Sequence, residues 1–130
     1  MFKMVSLDSS EYISSHEIPS NHPIIFIYFS PDCEHCQNEV KWILKDSEKL
    51  IKSNIYLVAN EPFSELRKFY VNNNLEKERN IRVVKDYEYS FYRKFLPATT
   101  PFIAIYNTKK ELIKLYTGET SVKSLIYSIQ

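Results

Sequence analysis

The stretch YFSPDCEHCQNEV, residues 28–40, contains both cysteines of the 130-residue chain. Cys33 and Cys36 follow the apolar run of residues 24–29 and precede a segment with helical spacing. A continuous apolar run of this length is typical of a strand buried on both faces, as in a parallel sheet. The Ser-Pro-Asp of residues 30–32 interrupts the run and offers capping side chains. The pattern therefore predicts a buried strand followed by a helix that carries Cys33 in its first turn.

The rest of the chain alternates strand-like and helix-like segments. Apolar and aromatic periodicity predicts strands over residues 24–29, 55–59, 81–84, 102–106 and 111–116, and helices over residues 33–52, 65–71, 87–95 and 121–129. An additional early strand is possible near residues 4–7. This order predicts an α/β fold in which helices cover both faces of a mixed sheet. At 130 residues, we expect one domain that spans residues 1–130.

Composition excludes several classes of function. The 17 basic and 16 acidic residues are spread along the chain and give a net charge of +1, which disfavours nucleic acid or an anionic membrane as a partner. No apolar run approaches the roughly 18 residues of a membrane span. Residues 1–7 are too short for a secretory signal. The expected compartment is cytoplasmic if the chain is complete, and extracytoplasmic (the bacterial periplasm) if it is a mature fragment.

The spacing of Cys33 and Cys36 favours redox chemistry. Residues three apart on a helix can come close enough to form a disulfide, and unpaired N–H groups at a helix start stabilise a thiolate. We therefore predict that Cys33 attacks a partner disulfide and that Cys36 resolves the mixed disulfide. Because Cys36 lies on the apolar side of the helix with Val40 and Ile43, it is expected to be the more buried thiol.

Other uses of two cysteines are less well supported. Structural zinc requires four ligands, and His35 is the single candidate near the pair, so no metal site is predicted. A static structural bond or core filling remains an alternative. Between the cysteines, His35 would favour a Cys33 thiolate and a more oxidising disulfide, whereas Glu34 would oppose the thiolate by charge repulsion.

Glu39 lies three residues after Cys36, close enough along a helix to reach back toward it. A partly buried carboxylate there could take the proton from Cys36. From its position alone, an exposed helix glutamate is the more common alternative.

The whole chain resembles the thioredoxin fold. The residues that carry the resemblance are the C-E-H-C motif after a buried strand, Thr100-Pro101 before an apolar strand, and the final hairpin, Gly118 and helix. It is most similar to TlpA-like and ResA-like thiol–disulfide oxidoreductases. These have an extra helix–strand insertion in the middle of the fold, which residues 62–84 would supply. In that group a glutamate stands three residues after the second cysteine, so the resemblance favours a role for Glu39.

The resemblance also implies a substrate site. A cis-proline faces the cysteine motif in this fold, and its loop receives the substrate chain. We assign this role to Thr100 and Pro101, with Pro97 as the competing candidate. Phe29 and Pro31 flank the motif and are candidates for lining a contact site.

Departures from thioredoxin itself separate this chain from a housekeeping thioredoxin. The buried aspartate six residues before the first cysteine is Ile27, and the tryptophan just before that cysteine is Asp32. The Gly-Pro dipeptide between the cysteines is Glu34-His35.

The implied function is a monomeric thiol–disulfide oxidoreductase that needs no cofactor. Its partners would be protein thiols or disulfides and an upstream redox protein, and the resemblance favours a reductant. The alternatives are an oxidase or isomerase on the same fold, or a non-catalytic binding module whose cysteines form an inert bond.

Overall fold

In the computed structural model, which describes residues 2–130, the chain folds into seven strands and four α-helices. The strands are β1 (Lys3–Ser6), β2 (Tyr12–Ser14), β3 (Ile24–Tyr28), β4 (Asn54–Ala59), β5 (Ile81–Lys85), β6 (Phe102–Tyr106) and β7 (Leu112–Thr117). The helices are α1 (Glu34–Lys45), α2 (Phe63–Asn72), α3 (Ser90–Phe95) and α4 (Val122–Ile129).

All seven strands belong to one mixed sheet in the order β2-β1-β5-β4-β3-β6-β7. The inner strands β3, β4 and β5 are parallel, whereas the pairings of β1 with β2 and β5, and of β6 with β3 and β7, are antiparallel. Short connections suffice for the antiparallel hairpin, but the parallel pairs need helical crossovers, which α1 and α2 provide. The predicted mixed α/β sheet is therefore confirmed.

Strand β3 is buried on both faces, as its continuous apolar sequence predicts. Ile25 and Ile27 pack into a core layer with side chains from α1, α2 and α4. Ile24 and Phe26 pack on the opposite face with Phe91 of α3 and with the N-terminal segment. Since β3 also lies between β4 and β6 in the sheet, the carboxyl end of this strand is held in place from every side.

The helix–strand insertion is present where the resemblance places it. Helix α2 and strand β5 lie between β4 and α3, and β5 extends the parallel part of the sheet through the pairing of Ile81 with Ile55 and of Lys85 with Ala59. Leu66 and Phe69 anchor α2 to the same core layer as α1. The insertion therefore forms the wall beside the start of α1.

Two helix ends and one strand differ most from the sequence-based expectations. Helix α1 ends at Lys45 and not at residue 52, because Asp46 leaves the helical region (φ −111°, ψ 29°) and a short 3₁₀ turn follows. Helix α3 begins at Ser90 and not at residue 87, because Tyr89 adopts a positive φ of 58°. The three-residue strand β2 was not predicted.

Candidate functional site

The start of α1 lies at the carboxyl end of the central strand β3, and Cys33 is its N-cap residue. The Cys33 backbone is extended (φ −83°, ψ 118°), and its carbonyl accepts the Gln37 N–H at 3.0 Å. Its Sγ accepts the Cys36 N–H at 3.4 Å, so sulfur occupies the place that a serine or aspartate oxygen commonly takes at a helix start. This position aims free N–H groups of the first turn toward the sulfur.

A second loop approaches Cys33 from the opposite side. The Cys33 thiol donates to the Thr100 carbonyl at 3.5 Å. The Thr100–Pro101 peptide bond is cis, which places the cis-proline at Pro101 rather than at Pro97. The Pro101 carbonyl accepts the Gly118 N–H at 2.8 Å, and this bond ties the loop to the end of β7.

The pKa of Cys33 lies below the ordinary value of 9.0 for its thiol. Partial burial raises the pKa, but hydrogen bonds from the Thr100 side chain and from Cys36 lower it by more, with help from the backbone of His35. The Thr100 carbonyl favours the protonated thiol, whereas the Thr100 hydroxyl favours the thiolate. The net direction makes Cys33 the more easily ionised of the two cysteines.

Cys36 lies one helical turn further and is fully buried, as predicted. Burial and the hydrogen bond with Cys33 raise its pKa to about 12. Both cysteines are free thiols in this structure. Thus two thiols only three residues apart occupy environments that shift their pKa values in opposite directions.

Glu39 is also fully buried, one helical turn beyond Cys36. Its Oε1 accepts the Thr120 N–H at 2.6 Å, whereas Oε2 is buried and has no hydrogen-bond partner. Burial raises the pKa of Glu39 to about 7, with a further contribution from the charge of Glu119 and an opposing one from the Thr120 N–H. The exposed-glutamate alternative is therefore wrong, and the carboxyl can exchange a proton near neutral pH.

The dipeptide between the cysteines is exposed to solvent. His35 Nδ1 contacts the carboxylate of Glu119 in the loop between β7 and α4, which raises the pKa of His35 and lowers that of Glu119. Asn38 Nδ2 donates to the same carboxylate oxygen at 3.3 Å. Glu34 occupies the first helical position of α1.

Sequence reasoning missed Glu119 and Thr120. Each contacts α1 from a position more than 80 residues along the chain (81 for Thr120 and Glu39, 84 for Glu119 and His35). The backbone N–H of Thr120 leaves no trace in the sequence. Gly118, the single glycine of the chain, was a usable signal, since its positive φ of 82° turns the chain from β7 toward α1.

Phe29 and Pro31, which flank the cysteine motif, differ in their exposure to solvent. Phe29 was expected to line a contact site, but it is 1% exposed and packs on Phe69 with ring centroids 4.9 Å apart, so that prediction is wrong. The continuous apolar run simply extends into the core by one more residue. Pro31 is partly exposed and borders a polar depression between α1 and α2, and its carbonyl accepts the Gln37 side chain at 2.8 Å.

Two further searches of the structure give negative results. Among residues 2–130, no group of three or more His, Cys, Asp or Glu side chains is arranged to hold a metal ion. In the same described part of the chain, no helix is both long and apolar enough to cross a membrane.

Comparison with known proteins gives similarity in structure but not in sequence. No protein-family model and no curated protein sequence matches the chain. DsbF of Mycobacterium tuberculosis, in its mixed oxidised and reduced forms, has a TM-score of 0.80 at 16% identity, over 98% of this chain and 91% of its own.

Two other solved structures extend the comparison. A secreted Mycobacterium tuberculosis disulfide oxidoreductase homologous to E. coli DsbE has a TM-score of 0.76 at 14% identity, over 98% of this chain and 92% of its own. A thioredoxin-like protein from Aeropyrum pernix has a TM-score of 0.79 at 16% identity, over 98% of this chain and 86% of its own. The similarity therefore covers nearly the full architecture of each.

Proposed function

The chain has the thioredoxin fold, and from this premise we propose that it is a thiol–disulfide oxidoreductase that acts on protein substrates through Cys33 and Cys36. The difference between the pKa values of the two thiols is the observation that supports this proposal most strongly. At the start of α1, the half-buried thiol has a lowered pKa, and the buried thiol one turn later has a pKa raised to about 12. A nucleophile and a resolving thiol need this difference, whereas an inert structural pair does not.

The reaction runs in two exchanges. The Cys33 thiolate attacks one sulfur of a substrate disulfide, a mixed disulfide forms, and the other substrate sulfur leaves as a thiolate that takes a proton from solvent. Cys36 then loses its proton and attacks Cys33 Sγ, which releases the second substrate thiolate and leaves a Cys33–Cys36 disulfide. Two electrons pass from the protein to the substrate, and an upstream redox protein returns them.

Glu39 is the proton acceptor for Cys36 in this scheme. A thiol with a pKa of about 12 is almost entirely protonated at neutral pH and is a poor nucleophile until a base takes its proton. Glu39 lies on the same buried side of α1, one turn away, and its Oε2 has no other partner. Its pKa of about 7 suits a group that must accept and release a proton near neutral pH.

Thr100 and Pro101 form the proposed substrate-binding edge. The Thr100 carbonyl lies 3.5 Å from Cys33 Sγ, so a substrate chain that runs along this loop brings its own sulfur next to Cys33. Thr100 is partly exposed, which leaves its backbone edge open to an extended chain. Pro31 borders the other side of Cys33 and completes the contact surface.

We propose the reductant direction. Strong oxidants owe their potential to a thiolate that is stabilised far below its ordinary pKa. Here the contacts of Cys33 Sγ with the Cys36 N–H and the Thr100 carbonyl are long, at 3.4 and 3.5 Å, and burial opposes ionisation of the thiol. In addition, the Glu119 carboxylate compensates the charge of His35. The competing oxidase function is favoured by one observation, which is that His35, with its raised pKa, lies beside the nucleophile.

The reduction potential of the Cys33–Cys36 pair tests the direction. Equilibration in glutathione or dithiothreitol buffers should give a value near the reductant end of the known range, about −270 mV. A value near about −120 mV would replace the reductant by an oxidase.

Alkylation separates an enzyme from a non-catalytic module. At pH 6–7 iodoacetamide should label Cys33 of the reduced protein and leave Cys36 unmodified, because only the Cys33 thiol has a lowered pKa. Cys36→Ser should accumulate a mixed disulfide with a disulfide-bonded substrate such as insulin, whereas Cys33→Ser should not. Equal, slow labelling of both thiols with no mixed disulfide would contradict an enzymatic role.

A further inference from the structure

The loop between β7 and α4 contacts two different groups on α1. Glu119 reaches outward, where its Oε2 contacts His35 Nδ1 and accepts Asn38 Nδ2 at 3.3 Å. The next residue, Thr120, points its N–H inward to Glu39 Oε1 at 2.6 Å. Two adjacent residues of one loop therefore bind an exposed pair and a buried carboxylate on successive turns of the same helix.

We propose that Glu119 is a positioning residue for the dithiol reaction. Its contacts with His35 and Asn38 hold the β7–α4 loop against α1, so that the Thr120 N–H stays bound to Glu39 and the negative charge of Glu119 acts on the Glu39 carboxyl. The proposal rests on the proposed function, since it concerns the proton transfer from Cys36. It assigns the histidine of the C-E-H-C motif a second task, which is to compensate Glu119.

The geometry of the loop supports this assignment. Gly118 has a φ of 82°, and its N–H is bound to the Pro101 carbonyl at 2.8 Å. On the other side, the Thr120 side chain donates to the Gly118 carbonyl at 3.1 Å, and Ser121 caps α4. With both ends fixed, the Glu119 side chain is the part of the loop whose contact with α1 depends on a charge.

The charges that act on Glu39 are few. Glu119 from the β7–α4 loop is the ionised neighbour that raises its pKa, and the Thr120 N–H is the neighbour that lowers it. Glu34, His35 and Cys36 are the other titratable groups in this first part of α1. His35 acts on Glu39 indirectly, by partial neutralisation of Glu119, and Cys33 and Glu34 act on His35 in turn.

This arrangement predicts opposite effects for two variants. Glu119→Gln removes the negative charge while its amide oxygen still accepts from His35 and Asn38, so Glu39 should ionise at lower pH. His35→Gln leaves Glu119 fully charged, so Glu39 should ionise at higher pH. If the loop had only a structural role, both variants would shift the ionisation of Glu39 in the same direction.

The experiment uses 5,5′-dithiobis(2-nitrobenzoate) and the reduced protein in stopped flow. In the first phase Cys33 attacks the reagent disulfide and releases one thionitrobenzoate; in the second, Cys36 attacks the mixed disulfide and releases the other. At pH 6 the second phase should be about twofold faster in Glu119→Gln and about twofold slower in His35→Gln than in the native chain. The double variant should follow Glu119→Gln, because no charge is left for His35 to compensate.

Two controls complete the design. Glu48→Gln removes an exposed carboxylate in the 3₁₀ turn that follows α1 and should leave the second phase unchanged. In 1 M salt, where exposed charges are screened, the His35→Gln effect should shrink. Second-phase rates that do not change, or that change in the same direction in both variants, would overturn the proposal. Failure of the proposed function has a different signature, since protein disulfides would not react while both reagent phases remained measurable.

Discussion

Two carboxylates in residues 2–130 are completely buried, and they differ in the number of hydrogen-bond donors that contact them. Asp86 follows β5 and accepts from three groups at the start of α3: the N–H of Phe91 at 3.1 Å, the N–H of Tyr92 at 3.0 Å and the Ser90 hydroxyl at 3.3 Å. Glu39, on α1, accepts from Thr120 alone and leaves one oxygen without a partner.

The difference in hydrogen-bond donors distinguishes a carboxylate with a structural role, Asp86, from one placed for proton transfer, Glu39. A carboxylate whose two oxygens both accept hydrogen bonds holds its donors in place. A carboxylate with one buried oxygen that has no hydrogen-bond partner is less stable in its ionised form, and it therefore binds a proton more readily. The number of donors therefore distinguishes a carboxylate that fixes a helix from one that exchanges protons.

The largest expected effect comes from removal of the structural carboxylate. Asp86→Ala leaves two N–H groups and a hydroxyl at the start of α3 without their acceptor, and should lower the free energy of unfolding by about 3–4 kcal/mol. Urea unfolding measures this loss. Asp86→Asn, which retains one acceptor oxygen, should lose about half as much. A loss below about 1 kcal/mol for Asp86→Ala would contradict a structural role.

A smaller effect with a pH dependence is expected at Glu39. Its folded-state pKa of about 7 lies above the ordinary 4.5, so its contribution to stability is complete below pH 4.5 and is lost as the pH rises through 7. Glu39→Gln cannot ionise and keeps the acceptor for Thr120. The stability of this variant relative to the native chain should therefore increase by about 2–3 kcal/mol between pH 4.5 and 8.

Urea unfolding at a series of pH values measures that difference, and Glu48→Gln is the exposed control. A difference between Glu39→Gln and the native chain that stays constant with pH would mean that the buried carboxyl does not titrate in this range.

The smallest effect is expected when Asp86 loses one donor and keeps the other two. Ser90→Ala removes the hydroxyl that also accepts the Lys3 N–H at 2.8 Å, and should cost about 1 kcal/mol. Disulfide exchange by this variant should equal that of the native chain, because Ser90 belongs to α3, which packs on the face of the sheet opposite α1. A loss as large as that of Asp86→Ala would mean that the three donors do not act separately.

Features with a local cause could be predicted from the sequence. The buried strand β3, the helix start at Cys33 and the terminal hairpin each follow from a periodic or capping pattern within a few residues. The buried position of Cys36 followed from its place on the apolar side of α1. The helical spacing of Cys36 and Glu39 gave their proximity, but not the burial of Glu39.

Features that depend on distant segments could not be predicted in this way. Strand β2 has three residues and exists because β1 provides its partner. The contact of Glu119 with His35 joins residues 84 positions apart, and nothing in either local sequence specifies it. Phe29 shows the opposite error, since proximity to the motif suggested exposure whereas the neighbouring Phe69 of the insertion buries it.

The place of β3 in the sheet has a consequence for how the chain acquires its structure. One edge of β3 pairs with β4, about 30 residues away, but the other pairs with β6, where Ile24 meets Tyr106 and Tyr28 meets Phe102. During synthesis the central strand thus has an open edge until the last quarter of the chain has left the ribosome. Pairings between such distant segments are slow to form. The segment that carries both cysteines therefore leaves the ribosome early, but the strand before it is paired on both edges only late in synthesis.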